Sequence, residues 1–67
     1  MEVFRKTDDK GRTWRIMNDG PQYLPIYCIE QMHGTIDNCW WGMAYDPQKN
    51  FTSLEDAKAD LERLCAE

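Results

Sequence analysis

The sequence predicts one small α+β domain spanning residues 1–67: an antiparallel sheet of four strands, or of three, followed by one C-terminal helix (ββββα). Aromatic and β-branched residues lie mostly upstream, in short segments separated by Gly, Pro, Asp and Asn. The C-terminal segment instead carries apolar residues at helical spacing. Short connections between the upstream segments favour antiparallel neighbours.

The first two strands are predicted as a hairpin at Glu2–Thr7 and Arg12–Met17. Asp8–Gly11 lies between them, and its glycine can adopt the positive φ that closes a hairpin. Because side chains alternate along a strand, Trp14 and Ile16 should share one face of the sheet.

The third strand is predicted at Tyr23–Ile29, which is apolar at almost every position and therefore typical of a strand buried on both faces. A turn is predicted at His33–Gly34, and the fourth strand at Ile36–Tyr45. Asp46–Asn50 contains turn-forming residues and should end that strand.

The helix is predicted from about Ser53 to Cys65, because Thr52 and Glu55 have the Thr-x-x-Glu spacing of a capping box. Five residues then recur at steps of three and four and form one apolar stripe. They are Leu54, Ala57, Leu61, Leu64 and Cys65. One helix of this kind covers one face of a sheet, whereas the upstream segments carry twenty apolar residues.

The excess of apolar residues predicts a sheet face left for a partner. Gly42 and Ala44 allow close approach and should seat the helix, with Trp40 packed beneath it. Alternation then places a cluster of aromatic and Met side chains on the opposite face, of the composition found at protein interfaces. The predicted partner-binding residues are Trp41, Met43 and Tyr45, with Tyr27 in support.

Two alternatives would also account for these rings. The sheet could curl over its N-terminal hairpin and bury them, or two copies could pair through the open face as a small structural homodimer. A shift of one residue in register would exchange the faces of the last strand.

Charge is unevenly distributed along the chain. Residues 1–17 carry a net charge of +2 and residues 18–67 a net charge of −6. The N-terminal hairpin therefore offers an alternative function in nucleic-acid binding, with phosphate contacts beside a stacking ring. The residues for that role are Lys10, Arg12, Trp14 and Arg15.

The segment F-T-S-L-E-D-A-K-A-D-L, residues 51–61, resembles the strand-to-helix junction of plant AP2-type and phage-integrase arm-binding domains. The resemblance covers residues 45–61 and implies a three-stranded sheet followed by a helix, with nucleic acid bound by the sheet. Those domains are basic on that sheet, whereas this chain has a pI of about 4.8 and hardly any cations in its last strands. An acidic chain is repelled by DNA at long range.

Catalysis and metal binding are not indicated. The single histidine, His33, has no neighbouring serine to activate, and the chain contains no glycine-rich phosphate loop. Cys28, Cys39 and Cys65 together with His33 could supply four zinc ligands, but close ligand pairs are missing. We therefore expect reduced thiols, no metal and no cofactor.

The sequence thus predicts a non-catalytic protein-protein interaction module. The chain has no apolar run long enough to cross a bilayer and no secretion signal, so a cytoplasmic protein without membrane contact is expected. A compact acidic domain of this size suits a small regulator or inhibitor of a larger macromolecule. Phages and other mobile elements encode proteins of this profile, including anti-restriction and anti-CRISPR proteins, which act in the host cytoplasm.

Overall fold

Four strands pair in the order in which they occur along the chain. The computed structural model describes residues 1–67 and contains one antiparallel sheet of order β1-β2-β3-β4, followed by one helix. The elements are β1 (Glu2–Thr7), β2 (Thr13–Asn18), β3 (Tyr27–Thr35), β4 (Asn38–Met43) and α1 (Leu54–Cys65). The predicted ββββα fold class is confirmed, with four strands rather than three.

The N-terminal hairpin is confirmed to within one residue. Gly11 adopts a φ of +80° in the turn, where a side chain would be strained. The Asp8 carboxylate accepts hydrogen bonds from the backbone N–H groups of Lys10, at 3.0 Å, and Arg12, at 2.9 Å. Trp14 and Ile16 share one face of β2, and both are buried.

The predicted third strand is wrong in its bounds. Residues 23–26 lie in a loop because β2 ends at Asn18, which pairs with Tyr27, and no strand remains to continue the ladder. The Asn18 side chain closes this loop by accepting hydrogen bonds from the backbone N–H groups of Gly20 and Ile26. Tyr23 is consequently 88% exposed instead of buried in the sheet.

The turn predicted at His33–Gly34 is also misplaced. Both residues lie within β3, and the chain reverses at Ile36 and Asp37. β2 pairs with β3 only as far as Gln31, whereas the β3–β4 ladder continues to Thr35 and Asn38. Residues 32–41 therefore extend beyond the first two strands, and we call them the hairpin arm.

The helix begins at Leu54, one residue later than predicted. Ser53 is the N-cap residue, and its hydroxyl accepts a hydrogen bond from the backbone N–H of Asp56 at 3.4 Å. The predicted capping box of Thr52 and Glu55 is therefore wrong, and the cap is a single hydrogen bond to Ser53. The helix packs on β2 and β3.

A small core lies between the helix and one face of the sheet. Its six buried residues come from β2, β3 and α1, and the three from α1 belong to the predicted stripe. They are Trp14, Ile16, Ile29, Ala57, Leu61 and Leu64. Leu54 and Cys65, the other residues of the stripe, are partly buried against this core. The helix has neither the length nor the apolar character needed to cross a membrane.

Candidate functional site: the open sheet face

Strand register determines which side chains lie on the face opposite the helix, because directly paired residues in an antiparallel sheet share a face. Arg15 of β2 pairs with both Arg5 and Glu30, and Glu30 pairs with Met43. These residues form one row on the face opposite Trp14 and Ile16. Together with their neighbours they define the open face: Glu2, Arg5, Arg15, Glu30, Met32, Cys39, Trp41 and Met43.

Trp41 lies on the open face at the base of the hairpin arm, beneath two arginines. The Cζ atoms of Arg15 and Arg5 lie 4.1 and 5.2 Å from the centroid of the Trp41 ring. A guanidinium over an indole face is attracted by the negative face of the ring, and the arginine stem covers apolar surface. The side chains of two neighbouring strands therefore partly cover a ring that the helix cannot reach.

Two carboxylates hold these arginines in place. Arg5 donates from Nη2 to Glu2 Oε1 at 2.7 Å, and Arg15 donates from Nε to Glu30 Oε1 at 2.6 Å. Glu2 Oε1 also lies 3.9 Å from Arg15 Nη1. The hydrogen bond from Arg5 lowers the pKa of Glu2. Two arginines and two glutamates thus make the ionic part of the open face neutral and fix its side chains.

Met43 lies beside this network and is 51% exposed. The register therefore places Trp41 and Met43, two of the four predicted partner-binding residues, on the face that the helix leaves open. The predicted alternation is confirmed for Cys39, Trp41 and Met43, but the strand is shorter than the predicted Ile36–Tyr45. The sequence pattern did not reveal the two arginines over Trp41, because their proximity depends on the pairing of β1, β2 and β3.

Tyr45 and Tyr27 do not belong to the open face, and their predicted position there is wrong. β4 ends at Met43, so alternation no longer applies to Tyr45, and the chain turns towards the helix. The Tyr45 hydroxyl donates to Asp60 and accepts from Arg63 Nη2 at 2.7 Å. Tyr27 exchanges backbone hydrogen bonds with Phe51, and its side chain packs against the core.

Trp40 is not covered by the helix, contrary to prediction. Its register places it on the helix side of the sheet, but it lies on the hairpin arm and is 56% exposed. Its ring stacks on His33 with the centroids 6.0 Å apart. The space above Gly42 is also filled by His33, since a Cβ at Gly42 would lie 2.8 Å from His33 Cδ2. Gly42 therefore accommodates an imidazole rather than the helix.

The predicted nucleic-acid contacts do not form one surface. Trp14 is 4% exposed, and its indole N–H donates to Asp8 Oδ2 at 3.1 Å, so the ring cannot stack on a base. Arg12 forms an ion pair with Asp8 at 2.7 Å and reaches the last carbonyls of the helix. Lys10 binds the backbone carbonyl of Glu67. Arg15 lies on the open face, opposite the side of Trp14.

Asp8, which the sequence pattern identifies only as a turn residue, accepts several hydrogen bonds within the chain. Its side chain is buried, which by itself would raise its pKa. Hydrogen bonds from Trp14, Arg12 and Lys10 outweigh this effect and lower the pKa of Asp8 to about 2. An Asp at the start of a Gly-containing turn is the signal that could have identified it.

His33 and Cys39 do not lie together. His33 pairs with Trp40, whereas Cys39 pairs with Gly34, so the imidazole and this thiol lie on opposite faces of the hairpin arm. The three cysteines are free. No three His, Cys, Asp or Glu side chains lie close enough together to hold a metal ion. A shallow polar groove beside Asp8 is spanned by the Lys6–Glu62 ion pair, with Nζ 2.5 Å from Oε1.

Comparison with known proteins gave no match with a family model, a curated protein or a solved structure. A functional assignment therefore depends on the geometry of the open face and of the strands that carry it.

Proposed function

We propose that this protein is a non-catalytic protein-binding module, a small regulator or inhibitor that binds a larger macromolecule through its open face. The observation that carries the proposal is Trp41, which lies outside the helix-covered core between Arg5 and Arg15 and beside the exposed Met43. Trp, Arg and Met are enriched at protein interfaces, and Trp and Arg are frequent among the residues that dominate binding energy.

The salt bridges on the open face favour binding because they hold the long side chains before a partner arrives. Arg5 and Arg15 each have a carboxylate partner and a ring beneath them. Side chains that are already ordered lose less conformational entropy on association. The open face is therefore a prearranged surface around one aromatic residue.

The charges of the rest of the molecule indicate the chemistry of the partner. Each of the eight Lys and Arg side chains contacts a carboxylate, a carbonyl oxygen or an aromatic ring within the chain. Several carboxylates, by contrast, take part in no ion pair and in no side-chain hydrogen bond as acceptors: Asp9, Asp37, Asp46, Glu55 and Asp56. Because complementary charge steers association, we expect the partner to carry a net positive charge.

A binding role of this kind needs no chemistry of its own, because occupying a functional surface is enough to block it. The size, acidity and aromatic face suit an inhibitor encoded by a phage or another mobile element, of the anti-restriction or anti-CRISPR type. Such an inhibitor would act in the cytoplasm of the host. This assignment draws on size and class, whereas the binding role draws on the open face.

Two matched surface variants test the proposal. Met43→Glu places a charge on the open face, and Ala59→Glu places the same charge on the exposed side of the helix. The immobilised wild-type protein and both variants are used to capture proteins from a lysate of the source cell. A captured protein is then purified and its dissociation constant is measured by calorimetry against each variant.

We expect the purified partner to bind wild type and Ala59→Glu equally and to bind Met43→Glu at least about 30-fold more weakly, as for a residue at the centre of an interface. Circular dichroism checks that each variant is folded. Equal affinity for all three proteins would exclude the open face as the binding surface.

A further inference from the structure

The two edge strands of the sheet differ in how they are protected against pairing with another strand. β1 carries the charged residues Glu2, Arg5 and Lys6, and its register shifts between Glu2 and Phe4. β4 (Asn38–Met43) contains no charged residue, no proline and no register shift. Charges and bulges are the features that keep an exposed edge from adding a strand. β1 has them and β4 does not.

The backbone groups on the free edge of β4 can be assigned from the hydrogen-bond pattern. Ala44 donates its N–H to the carbonyl of Ile29 at 3.0 Å, and bonding positions alternate along an antiparallel strand. The even-numbered residues of β4 therefore bond to β3. The peptide groups that point outward are those of Cys39, Trp41 and Met43, and none of them takes part in a hydrogen bond elsewhere in the chain.

We propose that β4 pairs with β4 of a second copy of this chain, antiparallel, with Trp41 opposite Trp41 of the second copy. This register brings the outward groups of Cys39 opposite those of Met43 on both sides of the two-fold axis. It uses all three outward positions of each strand and keeps the two helices on the same side of one eight-stranded sheet.

The side chains of β4 fit this register. Trp40 is 56% exposed and would lie directly opposite Gly42 of the second copy, on the same face. There the ring would pack against the His33 imidazole of that copy, which fills the space over Gly42. Because Trp40 and Gly42 are two residues apart, one strand supplies both halves of this pairing, and a second copy is the occupant that repeats it twice.

Neither charge nor the helix prevents β4 from pairing with a second copy. Each chain has a net charge of −4, but β4 itself is uncharged, and the carboxylates nearest in sequence, Asp37 and Asp46, lie beyond its two ends. The helix packs on β2 and β3 and leaves β4 uncovered. The two open faces would lie side by side on the other side of the sheet. Pairing of this kind goes beyond the proposed function and does not depend on it, because it uses the backbone of β4.

We expect a weak dimer. Interfaces that bury less than about 1,200 Å² belong to weak or transient complexes, and one six-residue strand with two Trp side chains from each copy is at that lower end. A dissociation constant on the order of micromolar is therefore expected.

Sedimentation equilibrium in reducing buffer tests whether the dimer forms with a dissociation constant of that order. The protein concentration should range from about 1 μM to about 1 mM. The mass should rise from the 7.9 kDa of the monomer towards twice that value. Cys39→Lys, which places a charge on the free edge of β4, should remain monomeric. Thr7→Lys, which places the same charge on the edge strand β1, should dimerise like the wild type.

Amide hydrogen exchange by NMR tests the register. Protection of the amides of Cys39, Trp41 and Met43 should increase with protein concentration, whereas the amides of Trp40 and Gly42 already bond to β3 and should not change. A wild-type protein that stays at 7.9 kDa throughout, or a Cys39→Lys variant that dimerises like the wild type, overturns the proposal. Neither result would bear on the open face, whose test is binding to a different protein.

Discussion

Leu61 offers the most direct test of how the fold is stabilised. Its side chain is completely buried at the centre of the core, against Ile16 and Ile29. Replacing a buried leucine by alanine costs about 2–5 kcal/mol, since transfer energy is lost and a cavity remains. A domain of 67 residues without disulfide or metal rarely has more than about 3–5 kcal/mol of total stability. Leu61→Ala should therefore remove most of the free energy of unfolding.

The expected population follows from these values. If about 4 kcal/mol is reduced by about 3 kcal/mol, the remaining 1 kcal/mol leaves roughly one molecule in six unfolded at 25 °C. Urea unfolding followed by far-UV circular dichroism should show a midpoint lowered by about 2–3 M, for a slope near 1 kcal/mol per M. A native baseline should be short or missing.

Leu24→Ala is the matched control, because it makes the same chemical change at a side chain that is 54% exposed. Its effect should stay within about 0.5 kcal/mol. If Leu61→Ala cost less than about 1 kcal/mol, or if both variants cost the same, the core described between α1 and β2–β3 would not be what stabilises this protein.

Two further predictions follow from the buried polar groups. Because the pKa of Asp8 falls to about 2 on folding, its ionised form contributes stability that is present above the unfolded value of 3.8 and is lost as the pH falls through about 2. Thermal unfolding should be measured between about pH 5 and pH 2, the range that includes both pKa values. Asp8→Asn should lose less stability over this range than wild type or Asp9→Asn. Equal losses for all three proteins would contradict the assigned hydrogen bonds. Burial, together with the hydrogen bond to Asp19, raises the pKa of the Cys28 thiol to about 12, whereas Cys39 is exposed. Mass spectrometry after iodoacetamide at pH 8 should find Cys39 alkylated first and Cys28 alkylated only in denaturant, and early labelling of Cys28 would contradict its burial.

Several features were predictable because they depend on neighbours in sequence. The turn at Asp8–Gly11 contains its own chain-reversing residues, and the helical stripe can be identified from the spacing of Leu61 and Leu64. The alternation that separates Trp41 from Trp40 holds wherever the chain is extended, since the side-chain period of a strand is two. These predictions needed no knowledge of which strands are adjacent.

The missed boundaries have a different cause. Residues 23–26 have a strand-like composition, but a strand forms only where another strand offers hydrogen bonds, and β2 has already ended at Asn18. For the same reason Tyr45 leaves the sheet after β4 and binds Asp60 of the helix. Composition describes the preference of a segment, whereas the availability of a partner decides its structure.

Local sequence patterns were enough to predict the fold class, the first hairpin, the helix and the placement of Trp41 and Met43 on one side of their strand. Three features depend on how the strands assemble: Arg5 and Arg15 cover Trp41, Asp8 is buried, and β4 is left as the unprotected edge. A local pattern reports interactions between residues that are close in sequence, whereas these features arise from side chains that are distant in sequence. Their contacts exist only after the register of the four strands has been set.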